Sequence, residues 1–154
     1  MRVAIGCDEA AYSLKAEIIK HLDNIGVEYT DFGAKQGEVV LYPDVAVAVA
    51  EEVAKGNFER GILVCGTGIG MAITANKVPG IRAAVCHDPF STERSRKSND
   101  AQIMCMGERV IGVELAKMLV DIWLECDFSG GGSAPKVDRI NEYEKEYLNK
   151  SRTI

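Results

Sequence analysis

Leu63-Val64-Cys65-Gly66-Thr67-Gly68-Ile69-Gly70 is the stretch from which the fold can be read. The apolar run from Gly61 to Val64 reads as a buried strand, and Gly70 to Lys77 reads as the start of a helix. A glycine-rich turn therefore falls at the carboxyl end of a strand, where open α/β sheets hold their active sites. Gly66, Gly68 and Gly70 let the backbone turn tightly and leave its N–H groups uncovered, and the helix they open adds the positive end of its dipole. Such a turn suits an anion, either a phosphate or an oxyanion that forms during a reaction. A resting phosphate does not require a thiol. Cys65 at the strand's end therefore favours proton transfer next to a carbonyl, with the thiolate as base and the turn's amides holding an enediolate. The plainer alternative makes Cys65 a small core residue and the glycines the closure of a βα turn.

The same strand-then-helix pattern continues on both sides. Upstream, Arg2 to Asp8 reads as a first strand ending in an acid, and Ala11 to Leu22 carries Leu14, Ile18, Ile19 and Leu22 at helical spacing. Gly26 ends that helix, Val27 to Phe32 forms a second strand closed by Gly33, and Ala34 to Val40 is a loop. Pro43 opens an Ala/Val-rich helix that runs to Ala54. Downstream, Pro79-Gly80 breaks the chain, Arg82 to Cys86 is a fourth strand, Pro89 to Lys97 a helix and Ala101 to Met106 a fifth strand. Gly112 to Leu124 is a helix with Leu115, Met118, Leu119 and Ile122 on one face.

Strands alternating with helices imply the α/β class, with a five-stranded parallel sheet covered on both faces, because each parallel crossover needs a helix. Residues 1–128 make this unit. Residues 129–154 hold a glycine-rich link, Ser129 to Ala134, and a charged helix, Lys136 to Leu148, within the same domain. Val137, Ile140 and Leu148 are too few apolar anchors for a solitary helix, so this tail is expected to pack on another subunit.

Bulk properties narrow the function. With 47% hydrophobic residues and a net charge of -5 the 154-residue chain reads as one globular domain, without the basic patch of a nucleic-acid binder. The N-terminus lacks the pattern of a signal peptide, and no apolar stretch is long enough to span a bilayer. The five cysteines, at positions 7, 65, 86, 105 and 126, are odd in number and contain no C-x-x-C, which indicates neither a disulfide framework nor a zinc site. A reducing, cytoplasmic setting is expected.

Taken together, several motifs resemble one family. They are Gly6-Cys7-Asp8, Tyr42-Pro43-Asp44, Cys65 to Gly70, Ala75-Asn76-Lys77, Gly80-Ile81-Arg82-Ala83-Ala84, Asn99-Asp100-Ala101, Gly107-Glu108-Arg109 and Phe128-Ser129-Gly130-Gly131. Read in order they resemble the ribose-5-phosphate isomerase B family, which also contains the galactose-6-phosphate isomerase subunits. The resemblance implies a Rossmann-like three-layer α/β/α sandwich and a homodimer or dimer of dimers with sites between subunits. It further implies reversible aldose–ketose isomerisation of a sugar phosphate without metal or other cofactor. By that resemblance Cys65 moves a proton between C2 and C1, while the backbone from Gly66 to Gly70, with Thr67, steadies the cis-enediolate. Asp8 and Asn99 would hold sugar hydroxyls, and Arg109 resembles a phosphate-binding arginine.

The departures bear on the substrate. The family commonly has histidines where this chain has Glu9 and Ser98, and an arginine and a histidine where it has Gly132 and Ser133. A second family arginine appears as Lys136, and the aspartate usual before Tyr-Pro is Leu41. Ring opening needs an acid/base that shuttles a proton between ring oxygen and anomeric hydroxyl. Either Asp100, Glu9 or His87 opens a pentose ring here, or the substrate is already open. A four-carbon sugar phosphorylated on O4 is such a substrate, because it has no free hydroxyl with which to close a five-membered ring. Ribose 5-phosphate is the default, with a tetrose 4-phosphate or a hexose 6-phosphate as alternatives. Two other classes compete: a non-catalytic sugar-phosphate binder, and a P-loop-like nucleotide site. The second is weakened because no Lys-Ser/Thr follows the glycines.

Overall fold

The computed structural model describes residues 1–153. Its strands are β1 (Arg2–Cys7), β2 (Glu28–Asp31), β3 (Arg60–Cys65), β4 (Ala83–Val85) and β5 (Ile103–Gly107). The helices are α1 (Tyr12–Asn24), α2 (Tyr42–Ala54), α3 (Ile69–Ala75), α4 (Pro89–Lys97), α5 (Val113–Glu125) and α6 (Ala134–Arg152), with short 3-10 turns at Glu9–Ala11 and Gly131–Ser133. All pairings are parallel, in the order β2-β1-β3-β5-β4. The expected α/β/α sandwich is the observed one, with the ends of its strands and covering helices shifted by at most two residues. The largest shift is in the tail helix, expected over Lys136–Leu148 and observed over Ala134–Arg152, while β4 at the sheet's edge keeps three residues of the expected Arg82–Cys86.

Side chains alternate across a strand, so each strand feeds two cores. Val3, Ile5, Ile62, Val64, Met104 and Met106 face α1 and α5, and Leu63, Cys65, Ile103 and Cys105 face α2 and α3. Both faces of β3 and β5 are buried, as their unbroken apolar sequence requires. Right-handed crossovers account for the layering, since the chain leaves β1 toward one edge and returns from β2 toward the other.

That reversal positions the site. The connection after β1 departs toward β2 and the one after β3 departs toward β4, so the loops at these two carboxyl ends diverge and leave a crevice between them. Register decides what faces the crevice. Cys7 pairs with Val64 and Cys65 with Gly107, so Asp8 stands one residue past the first pairing and Arg109 two past the second.

Arg60, buried at the start of β3, closes the far end of the sheet. It donates to the carbonyls of Trp123, Leu124 and Cys126 and to Asp127, taking up the free carbonyls at the end of α5. The tail helix α6 meets the body through buried Val137, through Asn141, which accepts from Arg82 at 3.0 Å, and through Glu144, which accepts from the Gly80 N–H. Beyond these anchors Ile140, Tyr143, Tyr147 and Leu148 are exposed. No helix among the described residues is long and apolar enough to cross a membrane.

Candidate active site

The crevice is a cavity of about 450 Å³ lined by Asp8, Ala10, Tyr42, Cys65, Gly66, Thr67, Ile69, Gly70, Ile73 and Arg109. Cys65 lines it at the edge of the core beneath α2 and α3, with 5% of the residue exposed. Gly68 donates its N–H to Cys65 Sγ at 3.1 Å. The N–H groups of Gly66 and Thr67 have no protein acceptor among the described residues. Gly68 has a φ of 76°, and a Cβ there would stand 2.9 Å from the Met106 carbonyl carbon, so no other residue fits. Gly70 is required for a different reason: the Tyr42 ring lies where its Cβ would be, 2.6 Å from the ring edge.

Three of the four remaining thiols are poorly suited to act as bases. Burial pushes Cys7 up to about 11 and raises Cys86 and Cys105 as well, Cys105 far above the ordinary thiol range. Each of these sits in the sheet's core, whereas Cys65 borders the cavity.

Asp8 caps the 3-10 turn that leads into α1, its Oδ1 accepting from the Ala10 N–H at 3.1 Å. Burial raises its carboxyl above the ordinary carboxylate value, the Ala10 N–H and Arg109 opposing that effect. Arg109 is exposed and crosses the Gly66 backbone, its Nη1 3.4 Å from where a Cβ would stand, and its guanidinium has no salt-bridge partner among the described residues. A carboxyl, a thiol, free amides and an unpaired guanidinium thus share one small cavity, a set able to bind an oxyanion and move a proton on carbon.

Of the residues singled out in the sequence, Asp8, Cys65, Gly66, Thr67, Gly70 and Arg109 line this cavity, and Gly68 supplies the amide behind the sulfur. Glu9, Asn99, Asp100 and Lys136 do not line it. Glu9 accepts from the Val40 N–H at 3.2 Å. Asp100 gives one oxygen to Arg82 and the other to Arg96, which hold it at a φ of 47°. Asn99 is exposed, and its carbonyl accepts from Arg82 Nε. Lys136 is exposed in the first turn of α6. His87 accepts the Gly107 N–H on Nε2 at 2.9 Å, which requires the neutral ring, and burial lowers its pKa. His21 pairs with Asp121 between α1 and α5. Tyr42 received no role from the sequence, where it figured only as part of the Tyr42-Pro43-Asp44 motif.

Fold and site together define a sugar-phosphate isomerase. Residues 3–140 match the ribose/galactose isomerase family, and the chain belongs to it. It is 57% identical over 146 residues to the ribose-5-P isomerase B of Listeria innocua, covering 95% of this chain and 99% of that one. It is 52% identical to the D-erythrulose-4-phosphate isomerase of Pectobacterium atrosepticum, covering 95% and 97%. A solved ribose-5-phosphate isomerase B from Clostridium thermocellum superposes with a TM-score of 0.93 at 50% identity, covering 96% and 99%.

Proposed function

We propose that the chain interconverts ribose 5-phosphate and ribulose 5-phosphate through a cis-enediolate, with Cys65 as the base. The carrying observation is Cys65, which lines a cavity together with Asp8 and Arg109 and whose sulfur accepts the Gly68 N–H. The thiolate removes the proton on C2 of the open-chain aldose, and the electron pair moves into a C1=C2 bond with negative charge on O1. The turn's amides and Thr67 stabilise that charge. The thiol then returns the proton to C1 while the O2 proton passes to O1, which leaves the ketose. Asp8 holds sugar hydroxyls and Arg109 takes the phosphate.

The active assembly is a homodimer or a dimer of dimers. Support comes from Ile69 and Ile73, which rim the cavity yet are more than half exposed, and from the uncovered apolar residues of α6. In that arrangement the exposed face of α6 packs on the neighbouring subunit while its other face stays anchored on its own chain, and Asn99, Asp100 and Lys136 reach a cavity other than that of their own chain. Five free cysteines support a reducing, cytoplasmic setting.

A second reading, a four-carbon aldose 4-phosphate, is favoured by one observation. Both oxygens of Asp100 are engaged by arginines, and neither it nor Glu9 nor His87 lines the cavity, so no group named as a replacement for the ring-opening histidine faces the site of its own chain. An open-chain substrate needs none. The Pectobacterium relative bears the name of such a substrate. Turnover of ribose 5-phosphate, erythrose 4-phosphate and allose 6-phosphate by purified protein separates these. A strong preference for ribose 5-phosphate removes the second reading, and a strong preference for the tetrose removes the first. Binding without exchange of solvent deuterium into C1 or C2 would leave a non-catalytic binder.

A further inference from the structure

We infer that Glu108 is a positioning residue, locking the loop that carries Arg109 onto the start of α1 and thereby fixing the guanidinium over the anion turn. The inference rests on the proposed role of Arg109 as the phosphate ligand. Its basis is a helix that lacks its own cap. The residue before α1 is Ala11, which offers no side-chain acceptor to the first-turn amides. The acceptor comes from 94 residues away, where Glu108 Oε2 takes the Leu14 N–H at 3.1 Å. A carboxylate at that place also complements the positive end of the α1 dipole.

The backbone of the same residue is committed elsewhere. Glu108 donates its N–H to the Cys65 carbonyl at 3.0 Å, and Arg109 donates its own to the Gly66 carbonyl at 3.1 Å. One side chain and two amides thus join the loops after β1, β3 and β5, the three that surround the cavity. Arg109 has no salt bridge among the described residues, so its placement depends on this anchored backbone. Asp8 precedes α1 through a three-residue 3-10 turn, and the spacing between Asp8 and Arg109 follows the spacing between α1 and the Glu108 loop. Fixing both ends before substrate arrives lowers the ordering cost of binding.

Three variants test this. Glu108→Ala removes the acceptor, Glu108→Gln keeps an oxygen for the Leu14 N–H, and Lys20→Gly weakens α1 at an exposed site by an amount similar to a lost cap without touching the loop. For E108A the expected result is a rise of about tenfold both in the Michaelis constant and in the dissociation constant for inorganic phosphate, with kcat changed much less. E108Q should return most of this, and K20G should lose the same melting temperature as E108A with wild-type phosphate binding. Unchanged phosphate binding in E108A overturns the inference, as does an equal loss in K20G. Wild-type protein that isomerises no sugar phosphate but shows the E108A effect on phosphate would refute the proposed reaction and leave the positioning role standing.

Discussion

Replacing Cys65 by alanine removes a sulfur that accepts one N–H, from Gly68 at 3.1 Å, and that carries none of the sheet's hydrogen bonds. The structural cost is small. Gly68 N–H loses its acceptor beside a cavity open to water, which amounts to about 1 kcal/mol and about 3 °C in Tm for a chain of this size. The chemical cost is large if the sulfur is the base. Positioned general bases contribute about a thousandfold, equivalent to about 4 kcal/mol of activation free energy. Cys65→Ser separates the two costs: its oxygen still accepts the Gly68 N–H, yet a hydroxyl does not ionise near neutral pH, so the variant should be stable and inactive. The assay is aldose-to-ketose conversion followed in deuterated water, with incorporation at C1 and C2 read by mass. Wild-type protein should incorporate label and both variants should not. Turnover of Cys65→Ala within tenfold of wild type would refute the assignment, and a collapse of its melting temperature would show that the sulfur is a core element instead.

Other perturbations probe the cavity's remaining walls. Arg109→Ala should raise the Michaelis constant at least tenfold with a smaller change in kcat, because a phosphate contact is kept from ground state to transition state; steady-state kinetics against sugar phosphate decide it. Gly70→Ala drives a methyl to 2.6 Å from the Tyr42 ring and should cost about 2 kcal/mol of stability, with most of it recovered in Gly70→Ala/Tyr42→Ala by thermal unfolding. His87 must be neutral to accept the Gly107 N–H, and burial lowers its pKa below the unfolded value of about 6.5. Its stabilising contribution is therefore complete above about 6.5 and is lost as pH falls through the lower folded pKa. Melting temperatures between about pH 7.5 and 5 should fall more for wild type than for His87→Gln, and parallel curves would contradict the bond.

What the sequence determined is what neighbours along the chain decide. Apolar runs and periodicity, punctuated by proline and glycine, marked the strands and helices of the sheet, because burial acts on each residue at a period of two or 3.6. The glycines around Cys65 marked an anion turn, because backbone freedom and uncovered amides are local properties. The tertiary structure alone decided which of these pieces meet. Strand order placed the ends of β1 and β3 beside a crevice, and register set Asp8 and Arg109 next to Cys65. Tyr42 reached the cavity because α2 covers the sheet face that carries Cys65, which follows from the direction of two crossovers. The same long-range pairing gave Glu108 a helix to cap and His87 an amide to accept, and it kept Glu9, Asn99, Asp100 and Lys136 off the cavity wall of their own chain. Contacts between residues about a hundred positions apart are fixed by the layered packing of sheet and helices, and no pattern in a short window of sequence encodes them.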